Sequence, residues 1–197
     1  MRQVQTVLGP IVPEELGFTL MHEHLICGHP SSLEPLRANE LEDVVELCVD
    51  SLEEARSYGL ETLVDATPID LGRDVELLRR VSSKTGVNII AATGFYMETP
   101  DSPYREKLTS PEGFYEILMR EISIGIEGTG IKAGVIKVGT GNGSISEYES
   151  NILKAAARAQ KETGVPIITH TESGTMGPEQ ADLLLSEGAE PSRVAIG

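Results

Sequence analysis

Residues 133–171 read AGVIKVGTGNGSISEYESNILKAAARAQKETGVPIITHT, which predicts a strand, a helix and a second strand. The two ends are runs rich in Val and Ile, a composition typical of strands that are buried on both faces of a sheet. Between them, Ser146 and Glu149 have the spacing of a helix capping box, and Gly164 is a favourable residue just after a helix. We therefore predict two parallel strands joined by a helix.

The same alternation of apolar runs and helical patterns extends over the whole chain. The predicted strands are residues 19–26, 61–67, 87–95, 133–139, 165–171 and 193–197. Helices are expected from Asn39, with Glu42 completing a capping box, and from Ser110, with Pro111 in the first turn. Shorter helices are expected at about residues 73–85 and 178–187. The chain therefore has five strand-helix units and the beginning of a sixth strand.

A (β/α)8 barrel, or TIM barrel, is the α/β fold that this pattern favours. A doubly wound open sheet has the same alternation, but no GxGxxG follows the first predicted strand, and the candidate functional residues lie at the carboxyl ends of strands. Eight units usually need about 250 residues. We therefore expect residues 1–197 to be the N-terminal portion of a single barrel, either as a fragment or completed by a partner segment.

Composition and charge exclude several classes of function. The formal net charge is −15, and no cluster of Lys and Arg offsets it, so nucleic acid and membranes are not expected partners. The sequence has no apolar stretch of about 18 residues and no signal peptide pattern, so a cytoplasmic protein is expected. Cys27 and Cys48 have no paired spacing and are expected to be free thiols, with a metal-ligand role for Cys27 as the alternative.

The histidine pair in Met21-His22-Glu23-His24-Leu25 is the strongest local signal. Alternate residues of a strand point to one side, so His22 and His24 are expected to project together while Glu23 faces the other way. At the carboxyl end of a barrel strand that side is the mouth of the active site, where two imidazoles can hold a metal ion. Taken alone, the HxH pattern is more often structural. His29 follows in a loop and is expected to be exposed.

Lys137 interrupts an otherwise apolar predicted strand. An unpaired buried ammonium is costly, so this lysine should lose its proton, pair with an anion or be modified. Three interpretations stay open: a side chain that reaches solvent, a Schiff-base lysine, and a lysine carboxylated by CO2 whose carbamate bridges two cations.

His170 ends the next predicted strand. A lone histidine in this setting is more often a hydrogen-bonded core residue than a ligand. In a barrel, however, it would meet Lys137 and the histidine pair at one mouth. Neutral imidazoles and a carbamate suit divalent ions such as zinc.

Several stretches together resemble the phosphotriesterase family of the amidohydrolase superfamily, and in particular its lactonase branch. The resemblance covers nearly the entire chain. The matching stretches are VQTVLGP (4–10), EELGFTLMHEHL (14–25), VDAT (64–67) with GRD (72–74), TGFY (93–96), KAG (132–134) with Lys137, THT (169–171) and SRVAIG (192–197).

The resemblance implies a (β/α)8 barrel with two divalent metal ions, zinc first and cobalt, iron or manganese as alternatives. It implies that His22 and His24 bind the more buried ion, that His170 binds the more exposed one, and that Lys137, carboxylated by CO2, bridges them. Tyr96 matches a tyrosine that orients the substrate ester in the lactonase branch; a packing aromatic is the alternative. The next histidine ligand and the final aspartate ligand of the family match no residue up to Gly197.

The function implied by the resemblance is hydrolysis of a lactone or related carboxylic ester by a metal-bridging hydroxide. Phosphotriester hydrolysis is expected as a further activity, and a homodimer as the assembly. Two other interpretations stay open. Lys137 can be the amine nucleophile of a Schiff-base lyase, and an incomplete barrel can act as a subunit or binding module without turnover.

Overall fold

The computed structural model describes residues 3–28 and 38–197. In these residues a short antiparallel hairpin precedes a parallel sheet and its helices. The hairpin consists of β1 (Val4–Thr6) and β2 (Gly9–Ile11). The sheet strands are β3 (Thr19–Glu23), β4 (Thr62–Asp65), β5 (Asn88–Gly94), β6 (Val135–Thr140), β7 (Ile167–Thr171) and β8 (Val194–Ala195). The helices are α1 (Ala38–Ser57), α2 (Val75–Thr85), α3 (Pro111–Ser123), α4 (Glu147–Thr163) and α5 (Gly177–Ser186).

The sheet curls into half of a barrel with the helices on its outer side. Its six strands lie side by side in chain order, and every neighbouring pair is parallel. The larger apolar cluster joins the sheet to the helices, and a smaller one fills the concave side. The members of the smaller cluster are Val64, Ile90, Ala92, Val135 and Ile168. The predicted α/β barrel pattern is confirmed, and each predicted strand is present within a few residues.

Local capping chemistry sets the helix ends. In α4, Ser146 Oγ accepts a hydrogen bond from Glu149 N, and the Glu149 carboxylate accepts one from Ser146 N, as the capping-box spacing predicts. Gly164 follows with φ at 73°, a left-handed conformation that glycine adopts without strain. Helix α2 begins two residues later than expected because the Asp74 carboxylate accepts the Leu77 N–H and serves as its N-cap.

Helix α1 packs its predicted apolar face against the sheet. Val45, Cys48 and Leu52 are buried there. The expected cap by the Asn39 side chain and the expected exposure of His29 concern side chains outside the described part of the chain. No helix in the described residues is long and apolar enough to cross a membrane.

The β1–β2 hairpin was not predicted, because strands of three residues are too short to show an alternating pattern. It lies under the amino-terminal end of the sheet, where Val7 N donates a hydrogen bond to Ile89 O at 2.8 Å. Gly134 allows this close approach, since a Cβ at that position would lie 2.6 Å from Gln5 O. The hairpin covers the end of the sheet opposite to the candidate site.

Strand β3 ends at Glu23, three residues earlier than predicted. The chain leaves the ladder there because Leu25 N donates its hydrogen bond to the Asp65 carboxylate, at 2.9 Å, instead of to a neighbouring strand. The register with β4 also shifts between Leu20 and Glu23. The register shift includes His22, and Leu25 follows His24 directly, so these two irregularities affect how the histidine pair is presented.

Candidate metal centre

His22 and His24 lie together where β3 leaves the sheet. Their ring centroids are 5.6 Å apart. The pKa of each ring is lowered to about 4. Burial is the largest cause of the lowered pKa, and the positive charge of Lys137 is the second. Both imidazoles are therefore neutral near pH 7 and retain a lone pair for a metal ion.

Lys137 is buried on β6, with a relative exposure of 1%. Its Nζ lies 2.5 Å from His22 Nε2. Burial lowers the pKa of the amine to about 8, although Asp65 and Cys27 act in the opposite direction. In the described part of the chain no carboxylate forms an ion pair with it. A substantial fraction of this amine is therefore neutral and nucleophilic under mildly alkaline conditions.

Gly94 at the end of β5 allows the neighbouring strand to pass close to Lys137. Its φ is +122°, and a Cβ at this position would lie 1.8 Å from Lys137 O. Phe95 N donates a hydrogen bond to the same carbonyl at 3.0 Å. The backbone that carries the lysine is therefore held directly by the end of β5.

His24 is held by buried groups at the end of β4. Its Nδ1 lies 2.8 Å from Thr67 Oγ1. The Asp65 carboxylate accepts hydrogen bonds from Thr67 N at 3.0 Å and from Leu25 N at 2.9 Å. Asp65 therefore orders the loop after β4, and it also fixes the residue next to His24.

His170 is the next-to-last residue of β7 and lies in a more open group of polar side chains. Its Nε2 lies 3.0 Å from Tyr96 Oη and 3.1 Å from a Glu172 carboxylate oxygen. Tyr96 Oη also donates to Glu172 at 3.3 Å. Burial, followed by the charge of Glu172, raises the pKa of Tyr96 to about 12, so its hydroxyl keeps its proton at neutral pH.

The backbone of Tyr96 is fixed by a buried carboxylate. Tyr96 N donates to both oxygens of Asp70, at 2.9 and 3.1 Å. The nearby Arg73 does not reach the site, because its guanidinium forms a buried two-point ion pair with Glu121 at 2.7 and 2.8 Å. Arg73 and Asp74 are thus structural.

Comparison with known proteins identifies the family. The model of the phosphotriesterase family matches residues 2–197. The chain belongs to the phosphotriesterase family. The resemblance noted in the sequence motifs is therefore confirmed over nearly the whole chain.

Relatives in the phosphotriesterase family differ in their stated activities. The phosphotriesterase homology protein of Mycobacterium tuberculosis is 36% identical over 207 residues, and the match covers 100% of this chain and 63% of that protein. The aryldialkylphosphatase of Saccharolobus solfataricus is 35% identical over 190 residues, covering 95% of this chain and 60% of that protein. Human N-acetyltaurine hydrolase is 32% identical over 223 residues, and the match covers 98% of this chain and 64% of that protein. The chain thus spans less than two thirds of the length of these relatives.

Solved structures give the same result. The organophosphorus hydrolase of Deinococcus radiodurans has a TM-score of 0.91 and 43% identity, with coverage of 99% of this chain and 61% of that one. A variant of the PTE-like lactonase from the same organism has a TM-score of 0.91 and 42% identity, with coverage of 98% and 62%. The described half-barrel is therefore the fold of phosphotriesterase-family TIM barrels over this part of their length.

The donor set fits a metal centre only if Lys137 contributes. In the described residues no group of three or more His, Cys, Asp and Glu is placed to hold an ion by those side chains alone. The neutral His22 and His24 rings, in contrast, lie near a buried amine that forms no ion pair with a carboxylate of residues 3–28 and 38–197. A carbamate on this amine would supply both the missing anion and the missing oxygen ligands.

Sequence reasoning placed less weight on some residues than their contacts warrant. Thr67 was quoted only as part of a motif, yet it contacts a candidate histidine, and Glu172 contacts another. Cys27 and Cys48 are free thiols, as predicted; Cys27 is exposed and Cys48 is buried. The position of Thr67 two residues after a strand that ends in Asp was the signal that could have identified it.

Proposed function

We propose that the whole protein is a binuclear metal-dependent hydrolase that cleaves lactones or related carboxylic esters, with phosphotriester hydrolysis as a second activity. In this proposal His22 and His24 hold one divalent ion, His170 holds the other, and Lys137, carboxylated by CO2, bridges them. Zinc is the first candidate, and cobalt, iron and manganese are the alternatives. A homodimer remains a prediction.

One observation carries the proposal: a buried lysine amine lies 2.5 Å from the Nε2 atom of a neutral histidine. The lone pairs of two nitrogen atoms at this distance repel each other unless a proton or an electrophile lies between them. Burial lowers the pKa of Lys137 to about 8, so a larger fraction of the side chain is the neutral amine, which is the form that attacks CO2. The product, an anionic carbamate, would then face neutral imidazoles.

Two divalent ions, when bound, supply an activated water and polarise the carbonyl or phosphoryl oxygen of the substrate. The residues of this chain hold and orient the reacting groups. Tyr96 keeps its proton and can donate a hydrogen bond to an ester oxygen from beside His170. Asp70 fixes the backbone of Tyr96, and Glu172 limits the rotation of its hydroxyl.

The substrate class rests on the relatives and on Tyr96. The similar proteins include an aryldialkylphosphatase, a PTE-like lactonase and an N-acetyltaurine hydrolase, which act on a phosphoryl, an ester and an amide group respectively by their names. A protonated tyrosine beside the candidate centre favours a small carboxylic ester or lactone, because it can stabilise the developing charge on the carbonyl oxygen.

The test is the purified whole protein, with metal content measured by mass spectrometry and hydrolysis measured on three substrates. These are a lactone, a dialkyl aryl phosphotriester and an N-acetylated amine. We expect bound divalent metal and the highest kcat/KM for the lactone. The variant Lys137→Gln should lose both metal and turnover, while Lys132→Gln, a lysine outside the centre, should retain them.

The rival interpretations make different predictions in the same experiment. A Schiff-base lyase would give a borohydride-trapped adduct on Lys137 with a carbonyl substrate, without a requirement for metal. A binding module would show no turnover of any substrate even when loaded with metal. Either result would overturn the proposed function.

A further inference from the structure

The contact between His24 and Thr67 determines which nitrogen of the imidazole carries a proton. His24 Nδ1 lies 2.8 Å from Thr67 Oγ1. The same hydroxyl lies 3.3 Å from Ile26 O. A carbonyl oxygen can only accept a hydrogen bond, and the Asp65 carboxylate is a second acceptor for the Thr67 side chain. We therefore assign the single hydroxyl proton of Thr67 to these oxygen acceptors and not to His24.

The hydroxyl oxygen still has lone pairs that can accept a hydrogen bond. On this assignment Thr67 Oγ1 accepts a hydrogen bond from His24 Nδ1, which then carries the ring proton. In a neutral imidazole the other nitrogen is then unprotonated. The lone pair of His24 is thus confined to Nε2, and the ring cannot turn without breaking its contact with Thr67.

Thr67 is itself held rigidly. It is buried, with a relative exposure of 1%, and so is Asp65. One Asp65 oxygen accepts the Thr67 N–H and the other accepts the Leu25 N–H. Since Leu25 follows His24 directly in the chain, a single carboxylate fixes both the acceptor and the backbone next to the imidazole.

We infer that Thr67 is a positioning residue that fixes the tautomer and ring orientation of His24, so that Nε2 is the nitrogen presented to a metal ion. The inference deepens the proposed function and rests on its metal centre. Groups that bind the second nitrogen of a metal-ligating histidine typically contribute about 10- to 100-fold to metal affinity. In this chain the role falls to a neutral hydroxyl rather than a carboxylate.

The decisive variant is Thr67→Val, which keeps the shape of the side chain and removes the acceptor. Thr67→Ser keeps the hydroxyl. Thr62→Val is the matched control, because Thr62 is buried at the start of β4, the strand that Thr67 follows, and its hydroxyl donates to Leu16 O at 2.5 Å. Thr67→Ala is a second variant without the hydroxyl in case the valine variant fails to fold.

The first readout is the ring tautomer in the metal-free protein, from long-range proton–nitrogen NMR of the labelled histidines. Wild type, Thr67→Ser and Thr62→Val should show His24 protonated on Nδ1, and Thr67→Val should show a mixture or the other tautomer. The inference is overturned if Thr67→Val keeps the wild-type tautomer. This readout does not depend on metal, so it remains decisive if the proposed hydrolase activity is absent.

The second readout is metal affinity, measured by competition with a chelator. Thr67→Val should weaken binding by about 10- to 100-fold, while Thr67→Ser and Thr62→Val should stay within a few-fold of wild type. Equal weakening by Thr62→Val would indicate a general loss of stability and would contradict a specific role for Thr67. Absence of metal from wild type would count against the proposed function and not against the tautomer assignment.

Discussion

The two histidine regions of the candidate centre are supported in different ways. His24 is held by Thr67 and Asp65, which are both buried and are fixed by backbone hydrogen bonds. His170 is held by Tyr96 and Glu172, and the side chains of His170 and Glu172 are 30% and 36% exposed. Buried contacts are not weakened by competing water, whereas exposed ones are. The His24 ring is itself exposed, so the difference lies in the partners. On the β3 side they are buried and preorganised, whereas on the β7 side Glu172 is partly exposed and can adjust to a substrate.

The largest effect should come from Lys137→Met, which removes the amine that contacts His22 and that we propose to bridge the two ions. We expect metal binding and turnover to be lost. The metal-free protein should become about 1–3 kcal/mol more stable, because a buried charge is replaced by an apolar side chain of similar length. Metal analysis and urea unfolding measure the two effects.

Lys132→Met is the control for this substitution, because Lys132 lies in the loop before β6. It should change neither metal content nor stability by a measurable amount. Retention of bound metal by Lys137→Met would show that the lysine is not part of the centre.

The next largest effect should be on stability, from Gly94→Ala. A methyl group there would lie 1.8 Å from Lys137 O, in a conformation with φ at +122°. We expect a loss of about 3 kcal/mol or more in the free energy of unfolding, because neither backbone can move without breaking the sheet. Gly86→Ala provides the comparison: its φ is +72° and nothing lies within 4 Å, so it should lose only about 1 kcal/mol. Similar losses in both variants would mean that the contact with Lys137 is not tight.

The stability of the metal-free protein, measured as a function of pH, should report the lowered pKa values of the histidine pair on the preorganised side. The pKa of His22 and of His24 is lowered from 6.5 to about 4, so between these values the unfolded state binds protons that the folded state does not. Stability should therefore fall as the pH is lowered from about 6.5 to about 4. After allowance for solvent around these rings, we expect about 1–2 kcal/mol for each.

The double variant His22→Asn with His24→Asn is the reference for this titration. Its stability should depend less steeply on pH over the same interval, as followed by thermal unfolding at several pH values. An unchanged slope would place the proton uptake on other groups.

The smallest effect should come from Glu172→Gln on the adjustable side. We expect metal affinity to change by less than about tenfold, below the effect of Thr67→Val, because the carboxylate is exposed to water. The KM for a lactone should rise more than kcat falls, since Tyr96 loses a partner that limits its orientation. Glu179→Gln, on the exposed surface of α5, should have no effect on either constant. A loss of metal affinity as large as that of Thr67→Val would remove the contrast between the two regions.

Much of the fold could be predicted because its signals are local. The capping box of Ser146 and Glu149, the proline at the start of α3 and the apolar runs each depend on a few neighbouring residues. The β1–β2 hairpin and the early end of β3 could not, because they depend on partners far along the chain. Leu25 N, for example, is captured by a carboxylate 40 residues away.

The sequence by itself determined the alternation of strands and helices and the family, and it predicted the candidate metal-binding residues, since these follow from residue type and spacing. The tertiary structure alone decided how those residues meet: the 2.5 Å approach of Lys137 to His22, and the hydroxyl of Thr67 placed on Nδ1 of His24. Such contacts join residues separated by 115 and 43 positions. They exist only after the sheet has curled and buried them, and burial is also what sets the pKa values on which the proposed chemistry depends.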